Sequence, residues 1–209
     1  MKILNRNFYK KNTIEVAQKL LGKILIYKPS TKFHFSAKIV ETEAYLENDP
    51  ASHSFCGITP RNAPMFGPPG FTYIYIIYGM YNCLNFVTEQ NGKAGAVLIR
   101  AVEPIEGIPL MKKNRHQENL YNLTSGPGKL CQALNLTRDQ NQLDLCIALK
   151  QKKITTKYPQ IYLLDAKSIP EELVIATSRI GIKEEHQQPW RYYIKGNRFV
   201  SRGCRKISL

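Results

Sequence analysis

The chain lacks cysteines in any paired spacing. Its five, Cys56, Cys83, Cys131, Cys146 and Cys204, are odd in number, and no C-x-x-C occurs. A disulfide framework and a zinc site are therefore not expected, and a reducing compartment fits best. Histidines are few and scattered, which leaves no metal-ligand spacing. No apolar run approaches the roughly 20 residues of a membrane-spanning helix, and the N-terminus lacks the charged-then-apolar pattern of a signal peptide. The expectation is a soluble, cytoplasmic protein. Repeats and low-complexity blocks are also missing. Acidic residues are scarce: 16 Asp and Glu stand against 30 Lys and Arg, for a net charge of +14. That excess favours nucleic acid or an anionic surface as partner. The basic residues are dispersed, with small clusters at Lys112–Arg115 and Arg198–Lys206, so no disordered basic arm is expected.

What is present reads as one domain over 1–209. Asn12 and Glu15 stand at capping-box spacing before Val16, Leu20 and Leu21, and Gly22 is placed to end that helix. Strands are expected at Lys23–Tyr27, Phe33–Tyr45, Ala96–Val102, Leu143–Leu149, Gln160–Leu164 and Trp190–Lys195. Along the second, Ile39, Glu41, Glu43 and Tyr45 share one face by alternation. Asn48–Gly70 is an ordered loop rich in Pro and Gly. Phe71–Val87 reads as two strands around a turn at Tyr78-Gly79-Met80. Helix is expected over part of Pro104–His116, after Ser125 as cap, and at Pro170–Thr177. The fold class that follows is mixed α/β (α+β). It has one compact domain, a curved and largely antiparallel sheet, flanking helices and a protruding β-hairpin.

Several residues are candidates for chemistry. A carboxylate late in an apolar strand costs free energy unless it is solvated or partnered. Glu43 is thus either an edge-strand acid facing water or a general base for water; spacing alone does not choose it over Glu41. Arg100 ends an apolar strand and needs a partner, which an acid such as Glu43 would supply. Tyr45, Tyr73, Tyr75, Tyr78 and Tyr81 form a dense aromatic set. Strands favour tyrosine, so some belong to the core or its rim. Tyr78, heading a turn, is free to insert into a base stack. His53 is either a hydrogen-bonded loop residue or the flank of a ring pocket. Ser125-Gly-Pro-Gly-Lys129 lacks the glycine spacing of a nucleotide-hydrolysing loop, but the helix start and Lys129 can hold one backbone phosphate.

The motifs VETEAY, ASHS, TPRN, MFGPPG, YGM, SGPGKLCQAL, SRIGI and WRYYIKG, in that order and spread over most of the chain, resemble the 3-methyladenine DNA glycosylase family. The resemblance implies excision of alkylated and deaminated purines from double-stranded DNA by base flipping, with no cofactor and no metal, by a monomer. It makes Glu43 the acid that activates water, with Arg100 and the carbonyl of Ile180 helping to hold that water. It puts Tyr45, His53 and Tyr75 around the flipped base, and Asn85 against the exocyclic amine of normal guanine. It makes Tyr78 the residue that fills the vacated stack, with Met80 beside it. The segments Glu47–Asp49 and Ser54–Thr59 depart from the human member's pattern and flank the implied pocket. Residues alone leave a second reading open, a non-catalytic nucleic-acid binder with the same basic and aromatic surface.

Overall fold

The computed structural model describes residues 1–146, 159–182 and 188–202. Helix α1 (Arg6–Tyr9) and helix α2 (Thr13–Lys19) open the chain. Asn12 caps α2 by accepting the Ile14 N–H at 2.9 Å. Glu15 does not reach back to complete a capping box. Lys11 and Lys19 hold it by ion pairs of 2.8 and 2.6 Å on the exposed side. Val16, Ala17, Leu20 and Leu21 form the buried face. Gly22 follows at φ +82°, where a side chain would be strained and would meet Ile169 at 2.8 Å.

Among the described residues, eight strands build one antiparallel sheet: β1 (Ile24–Lys28), β2 (Phe35–Leu46), β3 (Thr72–Ile77), β4 (Tyr81–Val87), β5 (Gly95–Glu106), β6 (Gln160–Leu164), β7 (Val174–Thr177) and β8 (Arg191–Ile194). The order runs β3-β4-β5-β2-β1-β6. One edge of β2 pairs first with β1 and then, at Glu41–Glu43, with β8, which also holds β7. Helices α3 (Ile108–Arg115) and α4 (Pro127–Leu134) pack on each other, and α4 packs on β4 and β5. The mixed α/β class, the curled antiparallel sheet and the hairpin of β3 and β4 are as the sequence implies.

The central ladder between β2 and β5 is irregular near its middle, with consequences for the site. Register shifts occur between Ile39 and Glu41 and between Glu41 and Thr42. Ile39, Ala44, Ile99 and Val102 all belong to the main core, whereas Val40 and Ala101 pack with Phe199 in a separate cluster. Core positions across this point are thus an odd number of residues apart, five from Ile39 to Ala44 and three from Ile99 to Val102, where a regular strand would keep the spacing even. The expectation that Ile39 shares a face with Glu41, Glu43 and Tyr45 fails for that reason: an irregular ladder flips the side-chain parity.

Four other expectations change. Strand β5 runs on through Pro104 to Glu106, because a register shift at Ser36 and Ala37 falls beside the residue with no N–H to donate. Helix α4 starts after Gly126 with no side-chain cap, and Ser125 instead bridges Ala101. Pro170–Thr177 is a single 3₁₀ turn (Glu171–Leu173) followed by strand β7, as Val174, Ile175 and Thr177 favour once β8 offers a partner. Leu143–Cys146 forms no named strand, only a bridge from Asp144 to Phe71, and the rest of Leu143–Leu149 lies outside the described residues.

Candidate active site

Alternation along the hairpin puts Tyr73, Tyr75 and Ile77 of β3 on one face with Tyr81, Cys83 and Asn85 of β4. These residues line a cavity of about 640 Å³. Strand β2 adds Tyr45, β5 adds Arg100, the Asn48–Gly70 loop adds His53, and the start of α4 adds Gly126–Lys129. Ile180 and Gly181 complete the wall. The structure therefore brings Tyr45, His53, Tyr75, Tyr78, Asn85, Arg100, Lys129 and Ile180 to one cavity. Met80 stays outside it, exposed on the hairpin tip.

Glu43 lies behind this wall, fully buried, and three cavity-lining residues hold it. Its Oε2 accepts from the Tyr45 hydroxyl at 2.8 Å and pairs with Arg100 Nη1 at 3.1 Å. Its Oε1 accepts the Ile180 N–H at 2.8 Å. The contact seen at Ile180 is thus made by its amide and not its carbonyl. One donor on Oε1 leaves capacity there to take a proton from water. Burial, then the Glu43 charge, pushes the Tyr45 phenol far above its usual range, so Tyr45 stays a donor. Burial acts to lower the Arg100 pKa, but Glu43 and Glu41 more than offset it, and the guanidinium stays charged.

Glu41 is a second buried acid, bonded as densely as the first. It accepts from Arg100 Nε at 3.3 Å, Arg191 Nε at 2.6 Å, and the Ser201 amide and hydroxyl at 2.7 and 2.8 Å. Arg100 therefore spans both carboxylates and fixes their spacing. The edge-strand alternative, in which these acids point to water, does not hold: both are fully buried.

The aromatic wall is locked by its own contacts. His53 Nδ1 lies 2.9 Å from the Tyr73 hydroxyl, and its ring meets Tyr75 edge-on at 4.4 Å. Burial, then Arg61, lowers the His53 pKa, so the imidazole is neutral at pH 7. Asn62, buried at the loop's base, donates to the carbonyls of His53 and Gly57 at 2.6 and 2.8 Å and so fixes His53. Asn85 commits its amide group to the carbonyls of Tyr73 and Cys83 at 3.0 and 3.2 Å, which sets its orientation across the hairpin. Lys129 Nζ bonds Asn122 Oδ1 at 2.7 Å. Burial, Arg115 and Arg202 lower its pKa. At the hairpin tip Tyr78 is 79% exposed with φ 53°, followed by Gly79 at φ 69°. A non-glycine residue at positive φ is strained, and an exposed aromatic gains nothing from the core in return.

Sequence reasoning missed Arg179. It is buried and paired with both carboxylate oxygens of Asp49, donates to the Ala44 carbonyl at 3.0 Å, and stacks 4.6 Å from the Tyr45 ring centre. Its signal was its place beside Ile180 in SRIGI, but no periodicity marks a cation that backs a distant aromatic ring.

A deep aromatic cavity over a buried carboxylate–guanidinium pair, carried on a basic surface, suits an enzyme that takes one flat ring out of a polyanion. The chain belongs to the methylpurine-DNA glycosylase family, whose model it matches over residues 7–198. It is 46% identical to a protein of Prosthecochloris aestuarii named "Putative 3-methyladenine DNA glycosylase", covering 94% of this chain and 90% of that one. Proteins of the same name are 43% identical in Alkaliphilus oremlandii (95% and 98% covered) and 44% identical in Methanocella arvoryzae (97% of each).

Proposed function

We propose that the protein is a monofunctional glycosylase of base excision repair, acting as a monomer in the cytoplasm. It releases alkylated or deaminated purines, among them 3-methyladenine, 7-methylguanine, hypoxanthine and ethenoadenine, from duplex DNA. The base is flipped from the stack at a cost of a few kcal/mol, least for a damaged base. Stacking against Tyr45, His53 and Tyr75 returns roughly 1–3 kcal/mol per aromatic contact. Glu43 takes a proton from a water, whose oxygen bonds to the sugar carbon as the glycosidic bond breaks and the base departs. Arg100 and Ile180 orient that water beside Glu43. Asn85 meets the exocyclic amine of normal guanine and disfavours it. Lys129 holds a backbone phosphate. Strand cleavage would need an amine attacking the sugar. Lys129, on the cavity wall, is instead engaged by Asn122, which supports an abasic product with an intact strand.

The observation that carries this proposal is Glu43 itself, buried and held on both oxygens by residues of the cavity wall. A binder with no catalysis would not need a carboxylate held against the cavity wall with acceptor capacity to spare on Oε1. The test is incubation with duplex DNA containing hypoxanthine or 3-methyladenine, then alkali and a gel. Strand breaks that depend on alkali support the proposal. Their absence on both lesions favours the binder.

Tyr78 at the strained tip should plug the vacated stack, with Met80 beside it. Tyr78→Ala is expected to slow excision from duplex by roughly 10-fold or more, as loss of one stacking contact allows, and to slow it much less from single strands. Equal losses on the two substrates would place Tyr78 in another role.

A further inference from the structure

Both walls proposed to hold the base carry an arginine that does not itself line the cavity. The Arg179 guanidinium lies 4.6 Å from the ring centre of Tyr45, and that of Arg61 lies 5.6 Å from the ring centre of Tyr75. Both rings line the cavity and neither arginine does, so the cations back the rings from outside. Arg61 also donates to the Ile76 carbonyl at 3.1 Å, which holds it against the hairpin.

An aromatic face attracts a cation through its π density. A cation already on one face draws that density outward. A second cation on the inner face then meets a weaker attraction, and it meets direct repulsion across a ring much thinner than the Debye length. A neutral base pays neither penalty. His53 adds no compensating negative charge, being neutral. We propose that the arginines behind the two rings, Arg61 foremost, bias the cavity against positively charged damaged purines and toward neutral ones. Arg61 dominates because Asp49 offsets the charge of Arg179, whereas among the described residues no ion pair is seen at Arg61. The inference deepens the proposed function and rests on it. It also reverses the simple expectation that electron-rich rings favour cationic lesions.

The test compares single-turnover release of 7-methylguanine, a cation, with release of hypoxanthine, a neutral base, from otherwise identical duplexes. Wild type, Arg61→Gln and Arg61→Lys are assayed at pH 7, where burial keeps His53 neutral and 7-methylguanine paired with cytosine retains the N1 proton that a higher pH would remove. Gln removes the charge but can still donate to the Ile76 carbonyl; Lys keeps the charge. The ratio of 7-methylguanine to hypoxanthine rates should rise about 2- to 5-fold in Arg61→Gln, the range that an exposed cation–π contact supplies, and should hold within 2-fold in Arg61→Lys. A ratio unmoved in Arg61→Gln, even with both rates reduced, overturns the inference and leaves Arg61 a brace for the hairpin. An equal rise in Arg61→Lys also overturns it, since charge would not be the cause. A wild type that releases neither base defeats instead the proposed function beneath it.

Discussion

Glu43→Gln is expected to cut single-turnover excision by at least roughly 100-fold, the low end of what general-base catalysis supplies, while binding to lesion DNA survives. Glutamine keeps the size of the side chain, and its one carbonyl oxygen can still accept from either the Ile180 N–H or the Tyr45 hydroxyl, which bond separate oxygens of Glu43 at 2.8 Å each. It cannot take a proton from water. The fold should persist, because Arg100 keeps Glu41 as a carboxylate partner. Stacking on the cavity walls and contacts to phosphates do not depend on Glu43, so lesion affinity should change little. Rapid-quench assays beside fluorescence anisotropy would separate the two effects. A variant with full rate would mean that water is activated elsewhere.

Glu41→Gln should fail differently. Alternation puts Glu41 on the same face as Glu43 without choosing between them; the family resemblance gives Glu43 the catalytic role, and by that view the loss of Glu41 costs little. The structure gives it two arginines and both polar groups of Ser201. Removing its charge strips Arg191 of the ion pair seen at 2.6 Å and Arg100 of one of two. Breaking a buried pair costs about 3–5 kcal/mol. For a chain of this size that lowers the melting midpoint by roughly 2–4 °C per kcal/mol, or at least about 6 °C in all. Well below the midpoint, turnover should fall far less than in Glu43→Gln, because the reacting carboxylate is intact. Thermal unfolding by circular dichroism, paired with the same excision assay, reads both. A midpoint within about 1 °C of wild type would show that the network adds nothing to stability. If Glu41→Gln were instead the inactive variant with unchanged melting, the roles of the two acids would be exchanged.

The sequence alone determined the elements that rest on local physics. Period-two runs marked β3 and β4, the Tyr78-Gly79-Met80 turn marked the hairpin tip, and Asn12 marked the start of α2. Alternation also placed Tyr73, Tyr75 and Ile77 on one face of β3 and Tyr81, Cys83 and Asn85 on one face of β4, because a two-residue repeat is enforced wherever a ladder stays regular; the paired strands then put both sets on the same side. What it did not determine depends on partners distant in the chain. The ladder of β2 and β5 slips and recovers near Val40 and Arg100, and only the paired strands reveal which face each acid takes. The strand at Val174–Thr177 needed β8 beside it before its β-branched residues outweighed a helical spacing. The charges that tune the site come from farthest away: Arg191 and Ser201 reach Glu41 across 150 and 160 residues, and Arg179 backs Tyr45. Buried charge must find its counterpart wherever the chain brings one within reach, and only the folded tertiary structure fixes which residues those are.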